Sequence, residues 1–220
     1  MKRKAHKVQP LDNQPQVSPL NGKQKEYISA IWNNDIVICR GPAGTGKTYL
    51  AAAIAARALC DRQINRVVVT RPLVEADGED IGYLPGGIED KTAPYMRPVF
   101  DAFNEYWSPG ICKSLMQQGA LEIAPLAYMR GRTFVNTWVI ADEMQNASRE
   151  QMLMLLTRLG ENSKIIITGD PRQRDRHDAD GIEEAQRRIS KVPGVASVSF
   201  TDKEVVRHAT VRRIVEVWDD

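Results

Sequence analysis

Gly41-Pro42-Ala43-Gly44-Thr45-Gly46-Lys47-Thr48 has the spacing G-x-x-x-x-G-K-[ST]. Glycines at these places let the backbone curl until successive N–H groups point inward at one anion. The helix expected to follow the loop adds its unpaired N-terminal amides and the positive end of its dipole. The chemistry is capture of a nucleoside triphosphate, with Lys47 bridging the β- and γ-phosphates and Thr48 ligating Mg²⁺. A bound triphosphate needs a metal partner and a means of activating water. Asp142 and Glu143 directly follow the apolar run Trp138-Val139-Ile140-Ala141. An Asp at a strand's C-terminal end can hold magnesium's hydration shell, and the adjacent Glu can accept a proton from the attacking water.

These groups meet only if the chain between them forms a sheet with its strand ends on one edge. Short β-branched runs do alternate with helical stretches. Strands are expected at Ile36–Ile38, Val67–Thr70, Leu121–Ile123, Trp138–Ala141, Ile165–Thr168 and Val195–Phe200. Helices are expected at Tyr49–Leu59, Pro98–Trp107, Arg149–Leu159 and Ile182–Ile189. Ser148 and Gln151 form a capping box for the third helix, with Gly160 as its stop signal. Alternation of this kind predicts an α/β fold, with right-handed crossovers and a mainly parallel sheet covered by helices on both faces in three layers. Residues 19–220 read as one domain. Residues 1–18, basic and rich in Gln, Asn and Pro, read as a flexible tail.

A chain of 220 residues with 42% apolar content can bury one sizeable core. The net charge of +2 does not by itself mark a nucleic-acid binder, although Arg130/Arg132, Arg172/Arg174/Arg176 and Arg187-Arg188 form local basic clusters. No apolar run is long enough to span a membrane, and the basic start leads into polar residues, so the expected location is the cytoplasm. Cys39, Cys60 and Cys112 are too widely spaced for a zinc site or disulfide framework, and His6, His177 and His208 make no metal-ligand pair. The acids among Asp175–Glu184 alternate with Arg174 and Arg176 and read as a mixed-charge loop. No Asn-Lys-x-Asp element favours guanine, so ATP is the expected nucleotide.

Further along, Asp142-Glu143-Met144-Gln145 resembles the D-E-x-Q motif of superfamily-one helicases, and Gly169-Asp170-Pro171-Arg172-Gln173 resembles their G-D-x-x-Q motif. Leu20-Asn21-Gly22-Lys23-Gln24 resembles their adenine-reading element, which implies that Gln24 bonds the base edge. A closer likeness, from residue 20 onward, is to the PhoH-like ATPase family. It rests on Thr70-Arg71-Pro72, Gly82-Tyr83-Leu84-Pro85-Gly86, the block Ala124 to Thr133 with its Met129-Arg130-Gly131-Arg132, Ala141 to Asn146, and Val205-Val206-Arg207-His208. Arg174, Arg176 and Ala209 depart from the family pattern.

The resemblance implies a RecA-like ATPase core, a ring-shaped homo-oligomer with a hexamer as the candidate size, and a link to single-stranded RNA or helicase activity. Helicase motors place ATP between two RecA-like lobes, and one lobe's length implies that a neighbour supplies the other wall. That neighbour would donate an arginine to the γ-phosphate, with Arg207, Arg130 and Arg132 as candidates. Gln173 and Thr168 would sense the γ-phosphate. Two readings follow: an ATP-driven machine acting on RNA, or a nucleotide-gated regulatory ATPase whose ring binds a protein partner.

Overall fold

The computed structural model describes residues 17–73, 100–104, 106–175, 181–206 and 210. Arg207, the three histidines, the 82–86 motif and nearly all of the 1–18 tail lie outside the described residues. Val17 is described, and it packs against the core.

Helix α1 (Gly22–Asn33) precedes β1 (Ile36–Arg40), α2 (Lys47–Cys60) and β2 (Arg66–Arg71). Then come α3 (Pro109–Gln117), β3 (Leu121–Pro125), β4 (Thr137–Ala141), α4 (Arg149–Leu156), β5 (Lys164–Gly169), α5 (Gly181–Ile189) and β6 (Val195–Ser199). All six expected strands are present. They form one sheet in the order β3-β2-β4-β5-β1-β6, and every pairing is parallel. Side chains alternate between the faces of each strand. Val37, Cys39, Val67, Val69, Ile140 and Ile166 therefore face α1 and α2, whereas Ile38, Val68, Val139, Ile165 and Ile167 face α4 and α5. β4 and β5 are buried throughout, which is why they read as unbroken apolar runs.

The alanines of α2 let it lie close on the sheet, with Ala51, Ala52, Ala53, Ala55, Ala56 and Ala58 all buried. Asn21 caps α1 by accepting from Gln24 N at 2.8 Å. At the other end, Lys164 donates to Ile31 O and Asn34 O, so a lysine on β5 satisfies carbonyls that α1 leaves unpaired. Burial pushes this ammonium down to about 8.

Three expectations need correcting. The expected helix Pro98–Trp107 is helical at 100–104 but has ended by Tyr106 and Trp107, and a separate α3 that was not expected follows; Ser108 is its N-cap and Pro109 opens it, and only Cys112 and Leu115 are buried along it, too thin a stripe to show as a period. The α4 capping box is present as expected, yet the helix stops at Leu156 rather than Leu159. Gly160 does not cap it: the residue is where the chain passes Phe134, and a Cβ there would lie 2.2 Å from Phe134 O. Gly160→Ala is expected to cost about 1–3 kcal/mol, as overpacking does, read as a lower midpoint in thermal unfolding.

Candidate functional site

Because all strands run in parallel, the loops after β1, β4 and β5 share one edge of the sheet. The loop after β1 is Gly41–Gly46. Gly41, Gly44 and Gly46 have φ of 144°, 81° and 85°, values that favour glycine. A Cβ on Gly41 would come within 2.6 Å of Phe200 Cβ. Gly46 is the N-cap of α2 and no side chain caps it, so the helix presents its first amides to an anion. Thr45 Oγ1 donates to Pro42 O at 2.9 Å, and Val206 N donates to Gly44 O at 2.8 Å.

Lys47 is buried in the hollow of this loop and donates to Gly41 O at 2.6 Å and Pro42 O at 2.7 Å. Burial is the largest influence on its ammonium and pulls it below the usual lysine range, against the opposing pull of Asp170, Glu143 and Asp142. A polyphosphate would give this desolvated cation the counter-charge that two carbonyl dipoles supply only in part.

Thr48 Oγ1 donates to Asp142 Oδ1 at 2.7 Å, and Thr168 Oγ1, from β5, donates to the same oxygen at 2.6 Å. One buried carboxylate oxygen thus gathers groups from α2, β4 and β5. Thr48 Oγ1 from the first turn of α2 and Asp142 Oδ1 after β4 are hard oxygens that suit Mg²⁺, which takes one or two protein oxygens and fills its other positions with water and phosphate. Among the described residues no cluster of three or more Asp, Glu, His or Cys offers a fuller metal cage.

Glu143 takes a left-handed backbone, φ 53° and ψ 35°, unusual for a residue with a side chain and of a kind found where function over-determines geometry. Its Oε1 pairs with Arg71 at 3.4 Å, and its Oε2 accepts from Gln145 Nε2. Lys47, Thr48, Asp142, Glu143, Asp170 and Gln173 line one cleft of about 260 Å³, with Tyr49 also on its wall. Tyr49 stands against Tyr106 with ring centres 5.5 Å apart.

Not every expected group reaches that cleft. Gln24 is 3% exposed; its Nε2 donates to Thr45 O at 3.1 Å, and its Oε1 accepts from Leu20 N at 2.8 Å. Bonding a base edge requires Gln24 to exchange these partners. Arg132 makes a bidentate pair with Glu122 at 2.6 and 2.8 Å and lies over the Phe134 ring, so its guanidinium is engaged within the subunit. Arg130 is exposed. Arg71, Asp170 and Gln145 were missing from the expected site. Gln145 and Asp170 sit inside the quoted motifs, but a motif gives no partner for them.

The Arg132 hydrogen bond holds the Glu122 carboxyl below its ordinary value. A depressed folded-state pKa adds stability that is present above the unfolded pKa and lost as pH falls through the folded one. Arg132→Met should therefore lower stability by on the order of 1 kcal/mol at pH 7. In thermal melts its difference from wild type should shrink as pH drops below the ordinary carboxylate range.

A parallel sheet with a glycine-rich loop between β1 and α2, and an Asp after β4 bonded to Thr48 in the first turn of α2, is the RecA-like P-loop NTPase fold. Solved structures agree on the fold. The large terminase of a thermophilic bacteriophage matches with TM-score 0.54 and 12% identity over 90% of this chain and 50% of that one. The HK97 bacteriophage large terminase matches with TM-score 0.53 and 15% identity over 93% of this chain and 48% of the other. Within that class the chain belongs to the PhoH-like protein family, whose sequence model matches residues 16–219. It is 47% identical over 199 residues to a PhoH-like protein of Synechocystis, covering 90% of this chain and 60% of that protein. It is 46% identical over 198 residues to one from Bacillus subtilis, covering 89% and 62%. Protein PhoH of Escherichia coli is 42% identical over 202 residues, covering 90% and 57%. The chain thus spans about three-fifths of the length of these relatives. Among the described residues no helix is long and apolar enough to cross a membrane.

Proposed function

We propose that this chain hydrolyses ATP as its Mg²⁺ complex, as one cytoplasmic subunit of a ring-shaped homo-oligomer, with a hexamer as the candidate size, that acts on single-stranded RNA. The observation that carries the hydrolase reading is the convergence of Thr48 and Thr168 on Asp142 Oδ1, with Lys47 and Glu143 in the same cleft. Ala43, Gly44, Thr45 and Gly46 turn backbone amides toward the phosphates, while Gly41, whose N–H is bonded to Gly169 O, and Pro42, which has none, shape the bend that wraps them. Lys47 neutralises the β- and γ-oxygens and keeps the terminal phosphate in line with water. Mg²⁺, held by Thr48 and Asp142, would supply charge neutralisation between those phosphates. Glu143 accepts the proton of the attacking water, and Gln173 reports whether the γ-phosphate is present. Gln24 supports the loop from below through Thr45 O, and adenine selection by it follows only from its motif.

The RNA part rests on the order of the helicase-like motifs and on the basic clusters, which could track a phosphate backbone. Single-stranded RNA should raise the ATPase rate, more at low salt than at high, since counter-ion release weakens phosphate contacts as salt rises. Phosphate release with and without RNA at two salt concentrations checks this. Turnover indifferent to RNA at both would overturn the RNA reading and favour the protein-partner alternative.

A further inference from the structure

Gln145 is 1% exposed, yet it is a fully polar side chain beside a site that must do proton chemistry. Its amide is used on every side. Oε1 accepts from Asp170 N at 3.1 Å, while Nε2 donates to Glu143 Oε2 and to Gln173 O at 3.2 Å. The fit is close, since a Cβ on Gly169 would lie 2.8 Å from Gln145 Oε1. Asn146, the next residue, repeats the connection by donating to Asp175 Oδ2 at 2.8 Å and accepting from Asp175 N at 2.9 Å. The turn Met144–Asn146 after β4 is thereby bonded to the 170–175 loop after β5 through side chains.

From this geometry we propose that Gln145 is the positioning residue that fixes the Glu143 carboxylate relative to the loop carrying Gln173, so that the proton acceptor is aimed only while that loop is in place. The proposal rests on the hydrolase reading above. The rigid part of the connection is Oε1 on the Asp170 amide, which locks the orientation of the side-chain amide. That orientation points Nε2 at both Glu143 and Gln173 O, so a shift of the loop turns the donor away from Glu143. Nε2 carries two hydrogens, enough for both acceptors at once. Held at Oε1 by Arg71 and at Oε2 by Gln145, the carboxylate has its rotation about the last bond restricted from both sides. Gln145 itself needs no contact with nucleotide.

The test uses the full chain with Gln145→Ala and Gln145→Glu, the second keeping side-chain shape and an acceptor for Asp170 N–H while removing the donor. Both should bind ATP within about threefold of wild type by calorimetry and lose about 10²-fold in kcat, the penalty of a misplaced reacting group. Melting curves confirm that each variant is folded at the assay temperature. In a Glu143→Gln background the same changes should have no further effect on the residual rate, because there is no base left to aim. A purely structural role would weaken ATP binding along with kcat and would add its loss to that of Glu143→Gln. Wild-type kcat in both folded variants, kcat loss that tracks binding loss, or undiminished loss in the Glu143→Gln background each overturns the proposal. If Glu143→Gln alone hydrolyses at the wild-type rate, the reading of Glu143 as base has failed, and the proposal falls with it; the single variants distinguish the two cases.

Discussion

Glu143→Gln is expected to keep ATP binding and to lose turnover by about 10²- to 10⁴-fold, the range for removing a positioned general base. The substitution keeps the shape of the side chain, so the left-handed backbone at this residue and the cleft wall should persist. Binding is expected to survive because Lys47 and the loop amides hold the phosphates, and Thr48 and Asp142 would hold the metal, without Glu143. The proton of the attacking water then has no acceptor at that position. Calorimetric titration with ATP and steady-state phosphate release separate the two effects. A wild-type rate in Glu143→Gln would remove Glu143 from the role of base. A simultaneous loss of binding would mean that the carboxylate supports the cleft rather than the chemistry.

The second large effect concerns completion of the site by a neighbouring subunit. Arg207→Ala is expected to lower kcat by about 10³- to 10⁵-fold if the arginine reaches the γ-phosphate of a neighbour. Lys47→Ala should lose most nucleotide binding, because it removes the one ammonium seated inside the phosphate loop. Mixing the two inactive chains should restore part of the activity. In a mixed ring, some interfaces pair an intact Lys47 site with an intact Arg207 from the Lys47→Ala chain. No recovery, with mixed assemblies verified by mass, would rule out Arg207 as the donor in trans. Val206, the last described residue before it, donates its N–H to Gly44 O of its own chain. Arg132 is a poorer candidate, since reaching a neighbour would break its bidentate pair with Glu122 and leave that carboxylate only the longer contact to Arg66 at 3.7 Å.

Much of the site was legible from local order. The phosphate loop could be read because its glycines sit where the backbone needs positive φ, a demand each residue meets on its own. The Ser148–Gln151 capping box was legible for the same reason: its partners are three residues apart and the bonds form within one turn. Gln24 was placed by a motif, and its bond from Leu20 N is local, but its bond to Thr45 O comes from the packing of α1 under the loop. The basic and acidic residues after Gln173 read as a mixed-charge loop, yet Glu183 and Glu184 open helix α5 and not a loop; only the mixed charge is as expected, with Arg174 paired to Glu183.

Local chemistry along the chain determined that there would be six strands, through short β-branched runs set between helical stretches, of which only β4 and β5 are buried throughout and so continuously apolar. It also determined that an anion-binding bend would follow the first strand and a carboxylate pair the fourth. Only the tertiary structure decided the order β3-β2-β4-β5-β1-β6, and with it the meeting of Thr168 with Asp142, Arg71 with Glu143 and Gln145 with Asp170. Hydrophobic periodicity says which face of a strand is buried but not which strand lies beside it. Which side chains pair depends on contacts between residues far apart in sequence, and those contacts form only when the layers close.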